Sequence, residues 1–150
     1  MKAVVQRCQS AAVTANGQPA GSIQQGLLVL LGVMKEDTEQ DALLLAQKIA
    51  LLRIFCDEQE KLNFNVSQVG GAVLCVSNFT LCATPKKGNR PDFGSAMPPA
   101  RAKELYQLFC AQLQRLGVPV ETGVFGADMQ IALCCDGPIT LHYDTAVWRK

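Results

Sequence analysis

Few side chains in this 150-residue chain can carry out chemistry, and they gather in three stretches. Ser77-Asn78-Phe79-Thr80-Leu81 sets two hydroxyls and a carboxamide directly after an apolar run, where a chain leaving a buried strand can turn polar groups into a pocket. Cys135-Asp136-Gly137-Pro138-Ile139-Thr140 joins a thiol to a pair built for a bend. Proline has no N–H and a φ near −65°, and glycine supplies backbone freedom beside it. The third stretch, Thr84 to Met97, mixes the cations Lys86, Lys87 and Arg90 with Phe93 and two prolines. A long irregular loop in a compact domain is functional more often than idle, and these cations could hold a few phosphates.

Each stretch also has a plainer reading: an outward polar strand face, a hairpin turn between two strands, and a solvated loop. His142 is the sole histidine. A Cys135–His142 nucleophile–base pair in neighbouring hairpin strands is one arrangement the residues leave open, although no third group orients it. The seven cysteines are odd in number, lack any Cys-x-x-Cys and lie mostly in apolar runs, which describes reduced thiols acting as small hydrophobes. Neither zinc-ligand spacing nor a GxGxxG or P-loop pattern is present, so no metal and no cofactor is expected.

The elements that position these groups follow from periodicity. Lys2 to Gln9 and Ala12 to Ala15 alternate in polarity, and Asn16-Gly17 signals a hairpin. Leu27 to Val33 is a continuous apolar run, read as a strand buried on both faces and far too short to span a bilayer. Ala42, Leu45, Ala46, Ile49 and Leu52 repeat at helical spacing, giving a helix over about Glu39 to Leu52 with Thr38 as its cap. Short strands follow at Arg53 to Phe55, Asn63 to Val66 and Ala72 to Ser77. A second helix starts at Pro98-Pro99 and ends at Gly117, and the last strands are Val118 to Thr122, Met129 to Cys134 and Ile139 to Tyr143.

The fold class is α+β: a curved, mostly antiparallel sheet or partial barrel with two packed helices, in one domain over 1–150. Residues 144–150 form a tail that follows no pattern. A net charge of +1, with 49 % hydrophobic and 18 % charged residues, excludes a protein that coats nucleic acid over a wide face. The opening residues lack a signal-peptide apolar region, so the expected location is cytoplasmic, with neither membrane nor DNA among the partners.

Taken in order, several stretches resemble the D-aminoacyl-tRNA deacylases (the D-tyrosyl-tRNA deacylase family) of the bacterial and eukaryotic type. They are Met1 to Arg7, Gly26 to Val33, Arg53-Ile54-Phe55, Ser77-x-Phe79-Thr80-Leu81, Gly88-x-Arg90-Pro91-x-Phe93, Phe125 to Gln130 and Asp136-Gly137-Pro138-x-Thr140. The resemblance implies hydrolysis of the ester between a D-amino acid, or glycine mischarged on tRNA(Ala), and the tRNA terminus. It implies a homodimer whose Gly137–Pro138 bond is cis and enters the partner's pocket, where main-chain carbonyls meet the α-ammonium and exclude an L side chain. It also implies catalysis assisted by the tRNA 2′-hydroxyl, with Ser77, Asn78, Phe79 and Thr80 at the reacting ester and backbone N–H groups of Phe79 and Thr80 as oxyanion donors. Thr80 as a nucleophile is the second choice. Met129 and Phe93 would line the substrate site, and Lys86, Lys87 and Arg90 would touch tRNA phosphates.

Two departures from the family pattern bear on activity. Asn78 replaces glutamine, one methylene longer, and Cys135 replaces an asparagine beside the bend. An impaired relative that only holds tRNA acceptor ends, an editing deacylase of relaxed chirality, and a thiol hydrolase using Cys135 are the alternatives.

Overall fold

The structure, a computed structural model, describes residues 1–84 and 88–149. Pro85, Lys86 and Lys87 lie outside the described residues, so the expectation placed on the two lysines is not taken further in structural terms.

The organising element is β1 (Lys2–Ala15), a 14-residue strand that pairs on both edges. Along one edge lie β2 (Gln18–Ile23) and β3 (Gly26–Gly32), both antiparallel to it. The β1–β2 turn is Asn16-Gly17, both with positive φ, as the hairpin signal predicts. Along the other edge β8 (Met129–Asp144) runs antiparallel to β1 over its whole length. β6 (Ala72–Ser77) adds to β3 in parallel, and β7 (Val120–Thr122) adds to β6 in parallel. The sheet is therefore mixed, its antiparallel half built on β1 and its parallel half on β6. The short β4 (Phe55–Cys56) and β5 (Leu62–Phe64) form a separate hairpin.

The sheet curls until β2 approaches β7. A Cβ at Gly21 would stand 2.6 Å from the Thr122 carbonyl oxygen, so the near-closure requires glycine there. Curling creates two apolar layers. Outside, Val5, Leu27, Val29, Leu31, Val73 and Cys75 pack under the helices; inside, Cys8, Val13, Leu28, Leu74 and Val76 form a smaller core. β3 and β6 contribute alternate residues to both layers, which is why their sequences read as unbroken apolar runs.

Helices α1 (Glu39–Ala50) and α2 (Pro99–Arg115) cover the outer layer with Leu45, Ile49, Leu105, Phe109 and Leu113, all fully buried. Each such side chain contributes about 1.5–3 kcal/mol on leaving water. At the start of α1 the Thr38 N–H and hydroxyl both donate to Asp41 Oδ2 at 2.9 Å. The tail is not loose. Thr145 is buried and its N–H donates to the Met1 carbonyl, while Arg149 Nη2 reaches Asp37 Oδ1 at 2.6 Å and Asp41 Oδ2 at 3.1 Å. No described helix is long and apolar enough to cross a membrane.

The structure corrects one expectation. Asp136-Gly137-Pro138 is not a hairpin turn between two strands. Gln6 pairs with Thr140 and Cys8 with Cys135, so two steps along β1 face five along β8. The chain keeps its direction and Asp136 to Ile139 bulge out of one continuous strand. A 14-residue β1 is long enough to pair with both halves, whereas a reversal would pair the halves with each other and leave part of the β1 edge without a partner.

Candidate active site

β6 ends at Ser77, and Asn78 leads at once into a 3₁₀ turn, Phe79–Cys82. The Asn78 N–H donates to the Leu31 carbonyl at 2.8 Å, tying the turn to the end of β3. The Asn78 side-chain oxygen then accepts from the Thr80 N–H at 3.2 Å and from the Thr80 hydroxyl. A short polar side chain bonding the backbone two residues on is what asparagine does well at turn starts.

This turn forms one wall of a pocket of about 830 Å³. Ser77, Asn78, Phe79, Thr80, Phe93 and Met129 all line it, with Leu31, Val76, Phe125 and Ile131 among its apolar walls. Phe79 is 59 % exposed and meets Phe93 edge-on, ring centres 5.1 Å apart, at the rim. The second wall comes from the loop before α2, held against the β3 end by Met97 N–H to Val33 O and Lys35 N–H to Ser95 O. Asp128 is the one ionisable side chain among the described lining residues, and a plain sequence reading passes over it. Its position before Met129, on a strand entering the pocket, was the available signal.

Arg90 is exposed and makes no ion pair among the described residues. Its loop is closed at the base by Thr84 N–H to Asp92 O at 2.9 Å, and Asp92 Oδ1 accepts from Gly94 N–H.

Gly137 and Pro138 do not line the pocket of their own chain; they sit exposed on the β8 bulge. Their peptide bond is cis, and Gly137 has φ +122°. The residue that anchors the bulge is Arg7. Its side chain is buried beneath, with Nε 3.1 Å from Asp136 Oδ2 and 3.3 Å from the Asp136 carbonyl. Nη1 donates to the Ile54 carbonyl at 2.6 Å. The guanidinium fork thereby joins the bulge to the β4 region at fixed angles, which a point cation could not do.

The Cys135–His142 pair does not form. The two residues lie on one strand, opposite Cys8 and Val4 of β1, hence roughly 13 Å apart along the ladder. Neither lines the pocket. Cys8, beside Cys135, is buried, and burial pushes its thiol up to about 11 against the help of backbone hydrogen bonds. Among the described residues no cluster of three or more His, Cys, Asp or Glu side chains could hold a metal ion.

Comparison with known proteins gives a consistent picture. The family model described as D-Tyr-tRNA(Tyr) deacylase matches residues 4–144. A D-aminoacyl-tRNA deacylase of Anaeromyxobacter dehalogenans is 53 % identical over 145 residues, covering 97 % of each chain. The protein of the same name from Thermus aquaticus is 52 % identical over 146 residues, covering 97 % of this chain and 96 % of its own. Among solved structures, a c-Myc DNA unwinding element binding protein superposes with a TM-score of 0.88 at 41 % identity, covering 96 % of this chain and 98 % of its own. A probable eukaryotic D-amino acid tRNA deacylase, at TM-score 0.83 and 15 % identity, shares the fold over 95 % of this chain and 97 % of its own.

Proposed function

The chain belongs to the D-Tyr-tRNA(Tyr) deacylase family, and on that premise we propose that it hydrolyses the ester joining a D-amino acid to the 3′ end of tRNA, releasing both. The same pocket, having no L-side-chain requirement to satisfy, also takes glycine mischarged on tRNA(Ala). The carrying observation is a pocket that gathers Ser77, Asn78, Phe79, Thr80, Phe93 and Met129, with Asp128 the single ionisable residue among its described lining. A described lining without an acid–base pair or a thiol suits an ester whose neighbouring 2′-hydroxyl can itself assist attack by water. Its volume suits an aminoacylated terminal nucleoside.

In this reading the developing oxyanion is met by the Phe79 main-chain N–H of the 3₁₀ turn; the Thr80 N–H, the other donor expected from the sequence, already donates to the Asn78 side-chain oxygen at 3.2 Å. Phe93 and Met129 bound the substrate, and Arg90, with Lys86 and Lys87, meets the phosphates of the acceptor end. Chirality is set by a second copy of the chain. Its Gly137–Pro138 bulge enters the pocket, offers carbonyl oxygens to the α-ammonium and leaves no volume where an L side chain would point. The exposure of that bulge outside its own pocket, and its anchoring by a buried guanidinium, support a rigid part presented to a partner.

The test is incubation with D-Tyr-tRNA and with L-Tyr-tRNA, alongside a solution mass measurement. Rapid loss of the D ester from a dimeric protein, with the L ester intact, is expected. Failure to cleave either ester overturns the reading, and tRNA binding without turnover would favour the impaired relative. Equal cleavage of both would leave a deacylase without a chiral wall.

A further inference from the structure

We infer that Gly123 sets the depth of the substrate pocket by giving the Met129 thioether a place to lie; the inference rests on the deacylase reading of that pocket. Gly123 directly follows β7 and is not among the residues that line the pocket. Six described glycines have a positive φ, and Gly123 is not one of them. Its φ makes no demand for glycine, so what the position requires is space. A Cβ there would stand 2.6 Å from Met129 Sδ. Ordinary contact lies at about 3.5–4.0 Å, so a single methyl group forces something to move.

The surroundings decide what moves. The backbone is held, because Gly123 N–H donates to the Cys75 carbonyl at 3.2 Å and Thr122 pairs with Cys75 across the β6–β7 ladder. The same carbonyl accepts from the Tyr106 hydroxyl at 2.8 Å, which ties it to α2. Val13 and Val76 close the flanks, each with Cγ2 3.7 Å from the place a Cβ would take. Both are buried, and β-branched side chains have little rotamer freedom. Met129 is unbranched and flexible, so it is the part that yields. It packs on the inner core from above and lines the pocket, so the open volume within its reach is the pocket itself. A methyl at position 123 therefore lifts the floor into the space an aminoacylated terminal nucleoside would fill. Gly123 is a positioning residue: it touches no substrate and acts through Met129.

The experiment is a double-mutant cycle on D-Tyr-tRNA hydrolysis. Gly123→Ala raises KM on the order of tenfold with kcat within about twofold, because bound volume is lost and the 3₁₀ turn is untouched. Met129→Val has no atom where the sulfur lay and alone changes KM by less than about threefold; adding Gly123→Ala to it leaves KM where it was. An unchanged KM in Gly123→Ala, or an equal rise in both backgrounds, overturns the inference. Should Gly123→Ala fail to fold alone, recovery of folding in the Met129→Val background supports the same contact, and an equally unfolded double variant overturns it. The Met129 methyl resonance, assigned by its loss in Met129→Val and followed by NMR, separates the inference from the reading it rests on. It shifts in Gly123→Ala, and an unmoved resonance overturns the inference whatever the activity. A shifted resonance with a wild type that does not cleave D-Tyr-tRNA overturns the deacylase reading alone.

Discussion

Arg7→Met is the most informative single change, because it removes the anchor of the Gly137–Pro138 bulge while keeping an apolar stem of similar reach. Arg7 is 8 % exposed, and its guanidinium serves two carbonyls, those of Ile54 and Asp136, together with the Asp136 carboxylate. Hydrogen bonds from a charged donor contribute about 1.5–3 kcal/mol each, and leaving their buried partners unmet costs a comparable amount. The Asp136 side chain is 33 % exposed and can rehydrate, and methionine retains the packing of the stem, so the loss is set mainly by the two carbonyls. The net figure is about 3 kcal/mol. For a chain of this size that corresponds to a fall in Tm of roughly 6–12 °C. Urea unfolding gives the stability directly, and paired D-Tyr-tRNA and L-Tyr-tRNA hydrolysis gives the functional consequence. If the bulge is the chiral wall proposed above, the D/L ratio should fall more than kcat for the D ester, since the pocket lining is untouched. Arg7→Lys should sit between, one ammonium being unable to reach both carbonyls. A stability within 0.5 kcal/mol of wild type, a margin set by ordinary surface substitutions at about that size, would refute the burial argument. A large stability loss with an unchanged D/L ratio would refute the link between anchor and wall.

Asp41 predicts an acid limb. Burial pushes its carboxyl up, but hydrogen bonds from Thr145, Thr38 and Arg149 outweigh this and hold it at about 2 against an ordinary 3.8. A lowered folded value means stability that is present above pH 4 and drains as pH falls towards 2, amounting to about 2 kcal/mol; Asp41→Asn should flatten that limb in thermal melts between pH 2 and 5. Phe79→Ala should leave Tm unchanged, the ring being mostly exposed, yet raise KM for aminoacyl-tRNA about tenfold if the Phe79–Phe93 rim stacks the terminal base. Gly137→Ala places a Cβ 3.0 Å from Ile139 N and Cγ1 at a φ of +122°, so it should cost about 1–3 kcal/mol in urea titration and abolish chiral discrimination.

Much of the fold is legible because its two burial regimes leave different marks. β3 and β6 feed two apolar layers and read as unbroken runs, while α1 and α2 bury one stripe each and read at helical spacing. The polar stretch Ser77 to Thr80 is legible as a turn off a buried strand. The bulge misleads, since apolar–turn–apolar describes both a reversal and a loop-out; only the length of β1, a partner far away in sequence, decides between them. Arg7 is hidden by its charge, although Ala3, Val5 and Arg7 share one buried face of β1 and that period marks it as inward. The tail carries no periodicity because its order comes from single contacts, Thr145 to Met1 and Arg149 to Asp37 and Asp41.

Pocket and bulge are far apart within one chain, and that separation makes the role of a second copy testable by complementation. Met129 pairs with Ala15 and Cys135 with Cys8, so the bulge begins roughly 20 Å along β8 from the pocket wall. A Gly137→Ala chain would have a sound pocket and a spoiled wall; a Phe79→Ala chain, assayed at low substrate, would have the reverse. Each homodimer should be defective. Unfolded together and refolded at equal amounts, random pairing makes half the dimers mixed, and each mixed dimer joins one sound pocket to one sound wall. Selective D-Tyr-tRNA hydrolysis should then return to about a quarter of the wild-type rate, half the dimers working at one of two sites. Recovery needs the wall to act across the interface, because within either chain one half is always damaged. A mixture no better than the average of its parents, with mixed dimers demonstrated by differential tagging, would mean that wall and pocket are not shared between copies.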